Sequence, residues 1–159
     1  MEQTIKVSDR YFKHYLSAAQ IQEKVKAVAE RINRDLIDKD PIFVAVLNGS
    51  FIFAADLFRY ITIPDCEITF VRLKSYAGTE TTGEVRTIAG LTESVVGRNV
   101  VIIEDIVDSG NTLSYLKRYL SGRQAASVKI CTILDKPSRR RVELIPDYRG
   151  FEIPDAFVV

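Results

Sequence analysis

The sequence predicts an α/β fold, a mostly parallel sheet flanked by helices with a small irregular hood. Three observations carry this reading. Apolar, β-branched runs such as "PIFVAVL" (41–47) and "VVII" (100–103) show no polar alternation, as in strands buried on both faces. Segments of helical period lie between such runs, the alternation expected when helices cross over a parallel sheet. The chain has 159 residues, 47% of them hydrophobic, enough for one sizeable core, so residues 1–159 are read as a single domain.

Each element has its own justification. In "SAAQIQEKVKAVAERINRDLI" (17–37), Ser17 and Gln20 have capping-box spacing, and Ile21, Val25, Val28, Ile32 and Leu36 form one apolar stripe, which predicts a helix. The run 41–47 is a buried strand, followed by the turn "NGS" and a helix opening near Phe51. "CEITFVRL" (66–73) is a second strand, and the Gly/Thr-rich "KSYAGTETTGE" (74–84) reads as a long mobile loop. "RNVVIIE" (98–104) is the third strand, with the helix "TLSYLKRYL" (112–120) after it. "SVKICTIL" (127–134) is the fourth. The tail "DYRGFEIPDAFVV" reads as an irregular cap with a short final strand.

Composition excludes several function classes. A formal net charge of +1 gives no global basic field for nucleic acid. No apolar run approaches the ~20 residues of a membrane span, and "MEQTIKVSDRYF" lacks the features of a signal peptide, so no membrane partner is expected. Cys66 and Cys131 lie in apolar or β-branched runs and read as two buried thiols in a reducing cytosol. His14 is the sole histidine, which removes multi-histidine metal sites and makes a Ser-His-Asp triad improbable.

The chemistry concentrates in "VVIIEDIVDSGNT" (100–112). In a parallel sheet, ligands bind beyond the carboxyl ends of the strands, where 48–50, 74–86 and 104–112 should lie. Gly110 permits a tight turn, Ser109 and Thr112 supply hydroxyls, and backbone N–H groups at the helix start favour an anion. The turn lacks the lysine and spacing of a Walker A loop. Glu104 and Asp105, just before it, suit ribose hydroxyls or Mg²⁺. A phosphate seat beside a diol-binding pair describes a ribose 5-phosphate. Taken singly, each part has a plainer reading: an acidic pair after a strand is a solvated turn, and Ser-Gly-Asn-Thr is a helix N-cap. Their joint order favours the site.

That order resembles the phosphoribosyl-diphosphate (PRPP) motif of type I phosphoribosyltransferases, and within them the hypoxanthine–guanine phosphoribosyltransferase family. "LNGS" (47–50) is similar to the family's diphosphate loop, "KSYAGTETTGEV" (74–85) to its closing loop, "LDKP" (134–137) to its base-recognition lysine and "GFEIPDAFVV" (150–159) to its base-stacking hood. The resemblance implies Mg²⁺-dependent transfer of a phosphoribosyl group from PRPP to hypoxanthine or guanine, giving IMP or GMP and diphosphate. It implies Glu104 and Asp105 on the ribose and metal, Asp108 as proton acceptor at purine N7, and Ser109, Gly110, Asn111 and Thr112 on the 5-phosphate. Lys136 would contact O6, Phe157 would stack on the base and the Val158 backbone would read its edge. Asn48 and Gly49 would meet diphosphate, with Asn48 standing where many relatives carry a basic residue. Ser75 and Tyr76 would close over the reacting centre, and Leu47–Asn48 would be a non-proline cis peptide. Hood segments are expected near 1–12 and 137–159. The family continues past the position of Val159 with an aspartate near the metal and a basic residue near diphosphate, so the C-terminal part of the hood is expected to be missing. A cytoplasmic homodimer or homotetramer is implied by the resemblance as well.

Some residues keep plainer readings. "SRRR" (138–141) reads as a solvated basic turn, while Tyr11, Tyr15, Tyr115 and Tyr119 read as packing or interface residues. Two rival functions are a phosphoribosyltransferase for another base and an RNA-binding regulator on the same fold. The other base would be xanthine, adenine or a pyrimidine, of which adenine fits poorly with a lysine facing its amino group; the second rival fits poorly with a charge of +1.

Overall fold

Ser17 opens the first helix as its spacing predicts. Its hydroxyl accepts from the Gln20 N–H at 3.1 Å, and the Gln20 side chain accepts from the Ser17 N–H at 2.8 Å. The computed structural model describes residues 4–75 and 85–159. Their strands are β1 (Thr4–Val7), β2 (Arg10–Lys13), β3 (Pro41–Leu47), β4 (Glu67–Ser75), β5 (Val85–Ala89), β6 (Asn99–Val107), β7 (Ser127–Asp135) and β8 (Tyr148–Glu152). The helices are α1 (Ala18–Leu36), α2 (Phe51–Phe58) and α3 (Asn111–Gly122).

Six strands form one sheet in the order β5-β4-β3-β6-β7-β8, and β1 pairs with β2 in a separate hairpin. All neighbours in the large sheet are parallel except β4 and β5. The period of two along each strand divides its side chains between two cores. Phe43 and Ala45 of β3 and Val101 and Ile103 of β6 face α1 and α2, where they meet Val25, Val28, Ile32 and Leu36. Ile42, Val44, Val100 and Ile102 face α3, against Leu113, Leu116 and Leu120. Each of these strand residues is fully buried, which explains the absence of polar alternation. Burial of a side chain of this size contributes about 1.5–3 kcal/mol.

Several sequence readings need correction. The third predicted strand does not end at the acidic pair: β6 continues through Glu104 and Asp105 to Val107, because its ladder with β7 continues to Val107↔Asp135. The stretch 74–84 is not all loop, since Lys74 and Ser75 finish β4; Tyr76 and residues 77–84 lie outside the described residues. Of the hood expected over 137–159, Tyr148–Glu152 is instead β8, the parallel edge strand of the main sheet, bonded to β7 from Cys131↔Tyr148 to Asp135↔Glu152. The hairpin β1–β2 and the short β5 were not predicted. Cys131 is buried and Cys66 half-buried, both as free thiols. Tyr119 packs beside α3's core, whereas Tyr11 and Tyr15 are exposed. Among the described residues, no helix is long and apolar enough to cross a membrane.

Candidate active site

The site lies where the strand order reverses. From β3 the chain moves outward to β4 and β5, then returns to place β6 on the other side of β3. Diverging connections leave a crevice beyond the carboxyl ends of such a strand pair. One wall of it is the loop after β3. Its Leu47–Asn48 bond is cis, as the resemblance implies, and Asn48 and Gly49 are exposed while Ser50 is buried. The Ser50 hydroxyl donates to the Val46 carbonyl at 2.6 Å and ties the loop to the strand. The other wall carries Asp105. A Cβ on Gly49 would stand 2.6 Å from Asp105 Oδ2, so only glycine allows this loop and that carboxylate to approach so closely.

Glu104 and Asp105 are adjacent in a strand, and each carboxylate accepts a neighbouring backbone N–H. Asp105 N–H donates to Glu104 Oε1 at 3.1 Å, and Ile106 N–H donates to Asp105 Oδ1 at 2.8 Å. Burial first, and the Asp105 carboxylate next, push the Glu104 carboxyl up to about 9. No set of three or more Asp, Glu, His or Cys that could hold a metal occurs among the described residues. A pair of hard oxygen donors at a phosphate site nevertheless fits Mg²⁺, which commonly takes one or two carboxylates and completes its shell with substrate oxygens and water.

After Val107 the chain turns into α3. Gly110 is the N-cap with φ of +84°, a left-handed conformation suited to glycine. The Asn111 N–H lies 3.4 Å from the Ser109 hydroxyl, and Ser114 N–H makes the first helical bond, to the Gly110 carbonyl at 2.9 Å. The early N–H groups of α3 and the exposed Thr112 therefore bound an open anion seat.

Asp108 and Lys136 stand one residue beyond the paired ends of β6 and β7, which brings them to the same mouth. Lys136 N–H donates to the Val107 carbonyl at 3.0 Å. Lys136 is only 6% exposed, and its ammonium has no hydrogen bond or ion pair among the described residues. Asp108 is half-exposed. Its Oδ1 accepts from Arg139 Nε at 2.9 Å, and Arg139 Nη1 also reaches Asp155 Oδ1 at 3.4 Å. The reading of "SRRR" as a solvated basic turn holds for Ser138, Arg139 and Arg141, which are exposed, and is corrected for Arg140, whose guanidinium is drawn in to bind the Asp108 carbonyl at 2.8 Å.

The hood segments meet at Phe157. Its ring lies 6.1 Å from that of Phe12 and under the Arg10 guanidinium at 4.9 Å, leaving Phe157 64% exposed. A cavity of about 770 Å³ runs from Gly49 and Asp105 to Phe157 and Val158, but Asp108 and Lys136 are not part of its lining. The structure thus groups Asn48, Gly49, Glu104, Asp105, Asp108, residues 109–112 and Lys136 at adjoining strand ends. Phe157 and Val158 border them from the hood. Ser75 lies at the end of β4, and Tyr76 falls outside the described residues. Sequence reasoning missed Asp135, Arg139 and Arg140, because charge pairing across 5 to 31 positions leaves no periodic signal.

Residues 13–159 match the model of the phosphoribosyl transferase domain. The chain is 45% identical over 145 residues to the hypoxanthine-guanine phosphoribosyltransferase of Bacillus subtilis (strain 168), covering 91% of this chain and 80% of that one. Its fold is similar to a crystal structure of a hypoxanthine-guanine phosphoribosyltransferase from Bacillus anthracis, with TM-score 0.78, 44% identity and coverage of 90% and 82%. It is also similar to a mutant hypoxanthine phosphoribosyltransferase from Trypanosoma cruzi in a ternary substrates complex, with TM-score 0.80, 36% identity and coverage of 87% and 80%.

Proposed function

We propose that this chain, which belongs to the phosphoribosyl transferase family, transfers the 5-phosphoribosyl group of PRPP to N9 of hypoxanthine or guanine in purine salvage, releasing diphosphate and IMP or GMP. The observation that carries this reading is the placement of a carboxylate pair, an anion seat, Asp108 and a buried lysine at the neighbouring ends of β6 and β7. The seat takes the 5-phosphate on Ser109, Gly110, Asn111 and Thr112, and Glu104 with Asp105 holds the ribose diol. Asn48 and Gly49 offer backbone N–H groups to diphosphate. Lys136, a pure donor, takes O6 and favours a 6-oxopurine over a 6-aminopurine. Phe157 and the Val158 backbone bound the base from the hood.

The reaction breaks the bond from C1′ to the diphosphate oxygen and forms the bond from C1′ to N9. Positive charge develops at C1′, next to Glu104 and Asp105, which favour it. As N9 attacks, the N7 proton passes to Asp108. Its Oδ1 is engaged by Arg139 but Oδ2 has no partner among the described residues, so Oδ2 can take that proton while Oδ1 keeps its hydrogen bond from Arg139, the carboxyl then being neutral. Glu104 and Asp105 would hold Mg²⁺, which when bound neutralises charge on the departing diphosphate. Ser75 and Tyr76 would close the site and exclude water.

The proposal places the enzyme in the cytoplasm, where two free thiols are stable, as a homodimer or homotetramer. The test is a spectrophotometric screen of five purine and pyrimidine bases with PRPP, with and without Mg²⁺. Metal-dependent turnover of hypoxanthine and guanine supports the proposal. Turnover of adenine at a comparable rate, or of none of the bases, overturns it.

A further inference from the structure

Three consecutive arginines follow the base-site lysine, and each binds the phosphate turn in a different way. Arg139 reaches the Asp108 carboxylate, and the Arg141 N–H donates to the Ser109 carbonyl at 2.8 Å. Arg140 is the buried member, with a side chain 12% exposed. Its Nη1 donates to the Asp108 carbonyl at 2.8 Å and its Nε to the Leu144 carbonyl at 2.9 Å. Its Nη2 pairs with Asp135 Oδ1. Asp135 is 1% exposed, and its other oxygen receives Arg149 Nη1 at 3.1 Å. The Arg140 stem also lies against the phosphate turn: a Cβ on Gly110 would come within 3.0 Å of its Cδ.

We propose that Arg140 is a positioning residue for the transfer, setting the distance between the proton acceptor Asp108 and the base-reading Lys136, with Asp135 as its buried counter-charge. The proposal rests on the function proposed above. The β6–β7 ladder ends at Val107↔Asp135; Lys136 keeps one main-chain bond across it, to the Val107 carbonyl, but the Asp108 carbonyl is held from this side by Arg140. Arg140 spans the two strand ends. One arm holds the main chain of Asp108, and the other holds the side chain of the residue preceding Lys136. N7 and O6 lie on one edge of a purine, so a purine can meet both groups at once only at one separation. A planar guanidinium suits this task because its donors are fixed relative to one another; an ammonium is a single point on a flexible stem. A buried ion pair is in itself weak support for stability, since apolar residues of similar volume often replace one without loss. Fixing geometry gives it a function that such replacements could not supply.

The test is a double-mutant cycle on the intact enzyme, comparing Arg140→Lys, Lys136→Met and the double variant. Single-turnover rates with hypoxanthine, PRPP affinity and Tm are measured for each. A misplacement of about 1 Å can cost ~100-fold, so Arg140→Lys is expected to lower the single-turnover rate ~10- to 100-fold with a smaller change in PRPP affinity. In the Lys136→Met background the same change should cost several-fold less, because the pair to be positioned is already broken. A purely structural role would lower Tm and give the same loss in both backgrounds. Asp135→Asn, which keeps the acceptor but removes the charge, repeats the cycle should Arg140→Lys not fold, with a milder loss of the same pattern expected. An inert wild-type enzyme would refute the underlying function. An active wild type, with Arg140→Lys within about twofold of it or equally impaired in both backgrounds, would refute the positioning role alone.

Discussion

Changing Lys136 to Met separates catalysis from stability more sharply than any other substitution at this site. The side chain is 6% exposed and makes no hydrogen bond or ion pair among the described residues. Burying an ammonium without a partner is costly. Here only the stem is buried: among the described residues no buried side-chain nitrogen lacks a partner, so the unpaired ammonium keeps its water until O6 of a 6-oxopurine replaces it. Met has similar length and no charge, so the variant should lose binding energy to the base but no stability. A hydrogen bond to a charged group is worth about 1.5–3 kcal/mol, which corresponds to roughly a 10- to 150-fold fall in kcat/KM for hypoxanthine.

The assay pairs steady-state kinetics on hypoxanthine and adenine with thermal melts of the ligand-free protein. The native enzyme should prefer hypoxanthine by ~10⁴ or more, since a donor facing the adenine amino group leaves both unpaired. The variant should narrow that gap, mostly by losing hypoxanthine use, while Tm stays level. A fall in Tm of several degrees with kcat/KM unchanged would refute the reasoning, because it would make Lys136 a structural residue.

Three further outcomes are expected. Asp108→Asn keeps the shape and the acceptor facing Arg139 but cannot take the N7 proton; kcat should fall ~10²–10⁴-fold with PRPP affinity little changed, as single-turnover kinetics and a separate PRPP titration would show. Gly49→Ala would put a methyl 2.6 Å from Asp105 Oδ2 and displace either the loop or the carboxylate, so calorimetric PRPP affinity should drop ~10-fold or more with Tm changed by only a few degrees. Glu104 is raised to about 9 in the fold, so the ligand-free protein holds a proton there that the unfolded chain has released; its stability contribution is complete below the ordinary glutamate value and is lost as pH rises towards 9. Metal-free melts should therefore decline between pH 6 and pH 9, and Glu104→Gln should flatten that decline.

How far this was legible in the sequence depends on the range of the forces involved. Local signals read well. Ser17 and Gln20 marked the start of α1 because a capping box is satisfied within four residues, and the runs 41–47 and 100–103 marked strands because burial on both faces leaves no polar residue to confuse the period. The anion turn was legible since Gly110 needs a positive φ and the hydroxyls beside it are adjacent in the chain. Elements defined by distant partners were not. The tail reads as a cap with one short strand, but nothing in "YRGFE" says that this strand joins the main sheet, which it does because β7 offers a free edge. "SRRR" carries the same charges whether it meets water or two buried carbonyls and Asp135; only the fold decides which.

The continuation of β6 through its acids ties these observations together. A central strand would be most stable with apolar residues at 104 and 105, and the chain resumes them at Ile106 and at Val107, which is buried. The fold instead half-buries two carboxylates between β3 and β7, satisfies each with one neighbouring N–H, and raises one of them to about 9. It then draws Gly49 against Asp105, so that the approaching wall adds no bulk. Such an arrangement makes little sense as a stabilising device, because two desolvated carboxylates cannot both stay charged and one must keep its proton. It makes sense if a cationic partner is absent from the free protein and present in the working one. Under the proposed function a metal ion bound with PRPP and the positive charge that develops at its C1′ would both be such partners. Stability is given up at these positions where binding could restore it, while the buried Asp135 carries its own two arginines within the fold.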